Sequence, residues 1–173
     1  MSDNFGGQIK LPYSTGLIWS YCLQNKTIKD NYDLKGWFYK RESAEDILKK
    51  IHNPDVIALS NFVWNTQLNH KLAKEIKKKY PKCKVIFGGL GNPNKNRLDN
   101  FLEENDYIDI VVNGEGELTF EHILIESLKD EPNYKNVEGI STKDFITNDR
   151  QRIKDIDSMP SPYLDGLFDK LIQ

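Results

Sequence analysis

Asn113-Gly114-Glu115-Gly116-Glu117 places two glycines and two carboxylates in five residues, directly after the apolar run Ile108 to Val112. Glycines at such a point let a ligand approach the backbone, and they equally serve a tight turn. The segment matches the start of a dinucleotide fingerprint only superficially. Thr119 stands where the third glycine belongs, and Glu115 and Glu117 would repel a pyrophosphate. The carboxylates suit the positive end of a helix, so a structural role competes with a binding one. Ser60-Asn61-Phe62-Val63-Trp64-Asn65 supplies a hydroxyl, two amides and an indole, a set suited to hydrogen bonding and stacking with a large flat ligand. The alternative is that Ser60 or Asn61 caps the next helix while Trp64 packs on a sheet. Gly88-Gly89-Leu90 and Pro12-Tyr13-Ser14-Thr15-Gly16 complete four loops of this kind.

Other chemistries lack their parts. Ser14 and Ser60 have no GxSxG context and no histidine in these loops, so acyl transfer has no base. There is no GxxxxGK[ST] phosphate loop, and no aspartates follow the first and third strands to hold Mg²⁺. His52, His70 and His122 are scattered and read as ordinary helix-surface or helix-end residues. Cys22 and Cys83 lie far apart, so they read as buried thiols in a reducing compartment and not as a zinc knuckle or disulfide scaffold. No catalytic residue and no protein metal ligand is expected.

The elements that would position the loops follow from periodicity. Short apolar runs alternate with amphipathic stretches, the pattern of βαβ units around a parallel sheet. Strands are expected at Ile9 to Leu11, Leu34 to Tyr39, Asp55 to Ser60, Lys84 to Phe87 and Ile108 to Val112. The third, nearly continuously apolar, is expected to be central. Helices are expected after Pro12, after a Ser43/Asp46 capping box, over Asn65 to Tyr80 with Lys77-Lys78-Lys79 at its negative end, and over 96–104 and 118–128. Val137 to Thr142 and Phe145 to Thr147 suggest an edge hairpin. The fold class is therefore α/β, doubly wound and flavodoxin-like, with about five parallel strands and helices on both faces. Ligands of such sheets bind beyond the carboxyl ends of the strands, where all four loops fall.

With 173 residues, the chain has room for one domain, expected over 1–149, and a tail over 150–173. The tail holds Met159-Pro160-Ser161-Pro162 and reads as a linker with a short helix over Leu164 to Leu171. A net charge of −2 gives no field for nucleic acid, and the apolar runs are too short to span a membrane. The N-terminal stretch lacks the basic-then-apolar pattern of a signal peptide, which points to the cytoplasm.

At the same loops the sequence resembles the N-terminal cobalamin (B12)-binding domain of B12-dependent radical S-adenosylmethionine enzymes. The likeness is carried by Leu11 to Leu17, by Asp55-Val56-Ile57-Ala58-Leu59-Ser60-Asn61 and by Val85-Ile86-Phe87-Gly88-Gly89. Asp109 to Phe120 is its most specific part, and Asp155 to Pro162 matches the bridge toward the family's barrel. The resemblance implies cobalamin contacts at Pro12, Tyr13, Ser14, Gly16, Ser60, Asn61, Trp64, Asn65, Gly88, Gly89, Leu90, Gly114, Glu115, Gly116 and Glu117.

Two departures shape that expectation. The DxHxxG motif of cobalamin proteins would fall at Tyr13-Ser14-Thr15-Gly16, which has no histidine, so the resemblance implies a base-off form without a protein ligand. The CxxxCxxC triad that holds a [4Fe–4S] cluster for S-adenosylmethionine is absent. The chain then reads as a cobalamin-binding module, truncated or split from a radical S-adenosylmethionine domain or subunit that carries those two cofactors. The alternative is a flavodoxin-like interaction domain that has lost its ligand. A third reading, a small-molecule or nucleotide-sugar enzyme, is disfavoured by the lack of an acid–base pair.

Overall fold

The structure is a computed structural model that describes residues 10–172. In chain order its elements are α1 (Tyr13–Cys22), α2 (Lys26–Asn31), α3 (Ala44–Lys50), β1 (Val56–Ser60), α4 (Thr66–Lys79), β2 (Lys84–Gly88), α5 (Leu98–Glu104), β3 (Ile110–Val112), α6 (Glu117–Ser127), β4 (Ile140–Ser141) and α7 (Asp169–Ile172). They form two compact units. Among the described residues, one holds 10–41, 115–137 and 150–172, and the other holds 42–114 and 138–149.

The second unit contains the sheet, in the order β1-β2-β3-β4. β1 and β2 run parallel, from Val56 opposite Lys84 to Ser60 opposite Gly88. β3 continues the parallel run beside β2, and β4 closes it antiparallel to β3. Val85, Ile86 and Phe87 and all three residues of β3 are buried, as an apolar run in a covered parallel sheet requires. α3 begins where the Ser43 Oγ accepts the Asp46 amide at 3.1 Å, with Glu45 and Asp46 in its first turn and Lys49 and Lys50 in its last. α4 buries Leu72, Ala73 and Ile76 and ends in Lys77-Lys78-Lys79 as expected. The expected edge hairpin is present in shortened form. The Thr142 amide donates to Phe145 O at 2.9 Å and that of Thr147 to Ile140 O at 3.0 Å.

The first unit is helical. Gly116, which precedes α6, faces Ile18 of α1 so closely that a Cβ there would lie 2.9 Å from Ile18 Cδ1. α2, too short to show periodicity, begins where the Asn25 side chain accepts the Thr27 amide at 3.0 Å. Asn25 Nδ2 also donates to Glu121 Oε1 of α6 at 2.8 Å, and Tyr32 OH to Leu124 O at 2.8 Å.

Four strands are described where about five were expected. Ile9 lies outside the described residues, and Lys10 and Leu11 take no strand conformation. Leu34 to Tyr39 is also irregular. Its side chains are spent differently: Trp37 meets Phe168 edge-on at 6.0 Å and Tyr39 is buried, while Leu34 and Phe38 face out and Gly36 interrupts the run. Among the described strands, β1 is therefore an edge strand and not the central one, with Ala58 exposed. The terminal helix is shorter than expected, because Gly166, at φ +69°, breaks the run before Asp169.

Candidate functional site

Parallel pairing puts the carboxyl ends of β1, β2 and β3 on one edge of the sheet, within the second unit. The loops after β1 and β2 are joined there by their backbones. The Asn61 amide donates to Gly88 O at 2.6 Å, and the Gly91 amide returns to Asn61 O at 2.8 Å. Glycine is required for this approach. Gly89 has φ +92°, and a Cβ on it would lie 2.7 Å from Asn61 O.

The two asparagines of the first loop act mainly inside it. Asn61, 1 % exposed, donates to Asn92 Oδ1 at 3.0 Å and accepts from Asn69 Nδ2 at 3.3 Å. Asn65, 4 % exposed, accepts the Phe62 amide at 2.7 Å and donates to Ser60 O at 2.8 Å. Their amides fix the loop so that its apolar residues project. Trp64 is 66 % exposed and lies flat on Phe62, with ring centroids 4.7 Å apart and planes 3° from parallel. Val63 and Leu90 are exposed as well. Beside this platform, a Cβ on Gly88 or on Gly114 would meet nothing within 4 Å. The edge thus offers a wide apolar and aromatic surface with open space above two glycines.

In the first unit, Pro12 caps α1, and Thr15 Oγ1 donates back to Pro12 O at 3.0 Å. Tyr13 and Ser14 are exposed, whereas Gly16 is buried beneath Phe168. Glu115 accepts the Ile153 amide at 2.8 Å, Gly116 caps α6, and Glu117 opens that helix where its dipole favours an anion. The structure therefore groups Ser60, Asn61, Trp64, Asn65, Gly88, Gly89, Leu90 and Gly114 in one unit, and Pro12, Tyr13, Ser14, Gly16, Glu115, Gly116 and Glu117 in the other. Sequence reasoning passed over Asn69 and Asn92, which complete the amide network. Their signal was faint, one asparagine inside a helix and one in a loop.

Both thiols are buried, as expected. Burial holds the Cys83 thiol up at about 11 and, with Glu121 and Glu117 nearby, raises that of Cys22 further. Burial and the raised thiol pKa values suit neither to nucleophilic attack. Among the described residues no three His, Cys, Asp or Glu side chains gather as a metal site. A surface cleft of about 420 Å³ lined by Lys74, Lys77, Pro81, Glu104, Asp106 and Tyr107 lies at the opposite edge, where β2 and β3 begin. Among the described residues no helix is long and apolar enough to cross a membrane.

The sequence of this chain is similar to two methyltransferases. It is 35 % identical over 163 residues to a cobalamin-dependent radical SAM methyltransferase, TokK, of Streptomyces tokunonensis. It is 34 % identical over 163 residues to 2-(S-pantetheinyl)-carbapenam-3-carboxylate methyltransferase of Streptantibioticus cattleyicolor. Each match covers 92 % of this chain and 24 % of the relative, so the chain spans about a quarter of their length. The model of the B12-binding domain matches residues 32–124, which include the whole parallel part of the sheet and the first part of α6. A mostly parallel α/β sheet of this kind is the flavodoxin-like fold of that domain, and the chain belongs to the B12-binding domain family.

Proposed function

We propose that this chain holds cobalamin at its loop edge, in the service of a radical S-adenosylmethionine methyl transfer carried out with a further domain or subunit. The observation that carries the proposal is the stacked Phe62–Trp64 platform beside the open space at Gly88 and Gly114. A corrin is large, flat and apolar on its faces, and such a ligand needs an aromatic surface and backbone approach more than it needs charge. Trp64 and Leu90 supply apolar contact, and Gly88, Gly89 and Gly114 keep side chains out of the way. Asn61 and Asn65 hold the loop in shape, with Ser60 at its root. Pro12, Tyr13, Ser14, Gly16, Glu115, Gly116 and Glu117 are assigned to the cofactor by the family resemblance alone.

When bound, cobalamin supplies a cobalt centre able to carry a methyl group. The chain offers no histidine in its edge loops, which supports a base-off cofactor without a protein ligand. It has no CxxxCxxC, so the [4Fe–4S] cluster and S-adenosylmethionine belong to the partner domain. The cobalamin domain is assigned to 1–149, the segment 150–173 leads toward the partner, and the reduced, buried thiols fit a cytoplasmic setting. The test is to add hydroxocobalamin to the purified chain, desalt it and record the visible spectrum. A retained corrin with a base-off spectrum is expected; a colourless protein overturns the proposal. Trp64→Ala should weaken retention about ten-fold, since an aromatic face contributes about 1–3 kcal/mol.

A further inference from the structure

The loops after β1 and β2 are built polar inside and apolar outside. Over 61–65 and 89–94 the buried side chains are those of Asn61 and Asn65, both carboxamides, while Val63, Trp64 and Leu90 stand 84, 66 and 91 % exposed. A loop that only joins a strand to a helix does the reverse, burying its apolar side chains and turning the polar ones to water. Apolar tips this exposed gain by withdrawing from water, so something other than hydrophobic burial must hold them out.

What holds them is a chain of carboxamides that runs in one direction through α4 and both loops. Asn69, buried on α4, donates through Nδ2 to Asn61 Oδ1 at 3.3 Å and to Ser60 O at 3.1 Å. Asn61 Nδ2 donates across to Asn92 Oδ1 at 3.0 Å, and Asn92 Nδ2 closes its own turn on Gly89 O at 3.1 Å. Beyond that turn, Lys95 Nζ donates to Thr147 O at 3.1 Å and pairs with Asp149 Oδ1 at 2.7 Å, which fixes the far end of the loop to the hairpin. Asn61 and Asn92 each accept from one neighbour and donate to the next, so neither can flip without losing both bonds. Among the described residues the chain leaves no buried carboxamide atom unsatisfied.

We propose that Asn69 and Asn92 are positioning residues of the cofactor site. Their chain sets the Phe62–Trp64 platform and Leu90 in place before the ligand arrives, so that cobalamin meets a preformed apolar seat. This rests on the cobalamin reading. Without the chain the seat is assembled for only part of the time, and a ligand that needs it assembled binds more weakly by that fraction. Asn69 reaches the loop through Ser60 O and Asn61 Oδ1, so its influence on the ligand passes through those two residues.

The full chain, its Asn92→Ala and Asn69→Ala variants and the double variant, first compared by circular dichroism and urea unfolding, are mixed with hydroxocobalamin. Association is followed by quenching of tryptophan fluorescence and dissociation by dilution. Each single variant should bind about three- to ten-fold more weakly, the worth of one hydrogen bond, through slower association with dissociation near wild type. The double variant should lose little more than either alone, because both act through Asn61. Asp109→Ala, which weakens the opposite edge of the same sheet, measures the effect of destabilisation alone and should associate at the wild-type rate. If both single variants associate as fast as wild type, or if Asp109→Ala is slowed as much as they are, this inference fails and the cobalamin reading stands. A loss expressed wholly as faster dissociation overturns it too, since Asn92 would then touch the ligand instead of positioning the loops. If the wild-type chain retains no corrin, the cobalamin reading fails and takes this inference with it.

Discussion

Lys77 Nζ reaches Asp109 Oδ1 at 2.9 Å, joining the last turn of α4 to the residue that precedes β3. The same ammonium donates to Cys83 O at 2.8 Å, and the second carboxylate oxygen accepts the Val85 amide at 2.7 Å. One ion pair thus fastens the starts of two parallel strands and the helix between β1 and β2. Both side chains are about one-fifth exposed, so removing one leaves the other poorly solvated. Asp109→Ala should cost about 2–3 kcal/mol, read as a lowered urea midpoint. A double-mutant cycle with Lys77→Met should return coupling of about 1 kcal/mol or more, and additivity would show the pair to be incidental.

His70, on α4, lies against β2 and α5 with Phe87, Phe101 and Tyr107 edge-on to its ring at 5.3, 5.7 and 5.8 Å. Its Nδ1 is 2.6 Å from Tyr107 OH, which itself donates to Asn105 Oδ1, so Nδ1 must carry the proton it shares with Tyr107. Burial, reinforced by Lys74, holds the imidazole below its ordinary 6.5. Below 6.5 the unfolded chain takes up a proton that the folded chain does not, until its own lower pKa is reached. Stability contributed by neutral His70 is therefore present above 6.5 and lost as pH falls through that window. Urea midpoints should decline as pH falls below 6.5, with a slope of at most about 1.4 kcal/mol per pH unit from this group. His70→Phe should flatten that part of the profile, and an unchanged slope would assign it elsewhere.

The contact between Gly16 and Phe168 leaves no room for a methyl group. Gly16→Ala should displace the Phe168 ring and cost about 1–3 kcal/mol by overpacking. Limited trypsin digestion should then cut faster at Arg150 and Arg152, because the segment they begin loses its buried anchor. Adding Phe168→Leu to Gly16→Ala should recover part of the loss. Equal cutting of wild type and Gly16→Ala would mean that the contact does not hold the segment.

The parts of the fold that were legible are those whose signal is local. Continuous apolar runs gave β2 and β3, and Ser43 with Asp46 marked the start of α3, because burial and capping leave their imprint on adjacent residues. Leu34 to Tyr39 reads as a strand on the same rule, but Trp37 finds its partner in Phe168, far along the chain, and periodicity carries no such information. The loop edge was legible through its glycines and Trp64, whereas the division of labour within it was not. Asn61 and Trp64 are equally plausible ligand groups by residue type, and only burial separates a residue that shapes the loop from one that faces out. The segment after 150 reads as a linker because two neighbouring prolines break regular structure, while the burial of Phe168 against Gly16 is a long-range contact that leaves no local mark.

Gly88 and Gly91 lie three residues apart and should answer differently to the same change. A Cβ on Gly91 would lie 2.7 Å from Phe62 Cα and 2.8 Å from Asn61 O, both backbone atoms that cannot turn aside. Gly91→Ala must part the two loops and strain the bond from its amide to Asn61 O, at a cost of about 2–3 kcal/mol. At Gly88 a Cβ meets nothing within 4 Å, so Gly88→Ala should leave the urea midpoint within about 0.5 kcal/mol of wild type. The methyl would instead occupy space assigned to the ligand, and hydroxocobalamin retained after desalting should fall several-fold. Retention should fall in Gly91→Ala as well, but together with stability. If Gly88→Ala retains cobalamin as the wild type does, the space above β2 is not where the corrin lies, and the site must be sought among the other loops.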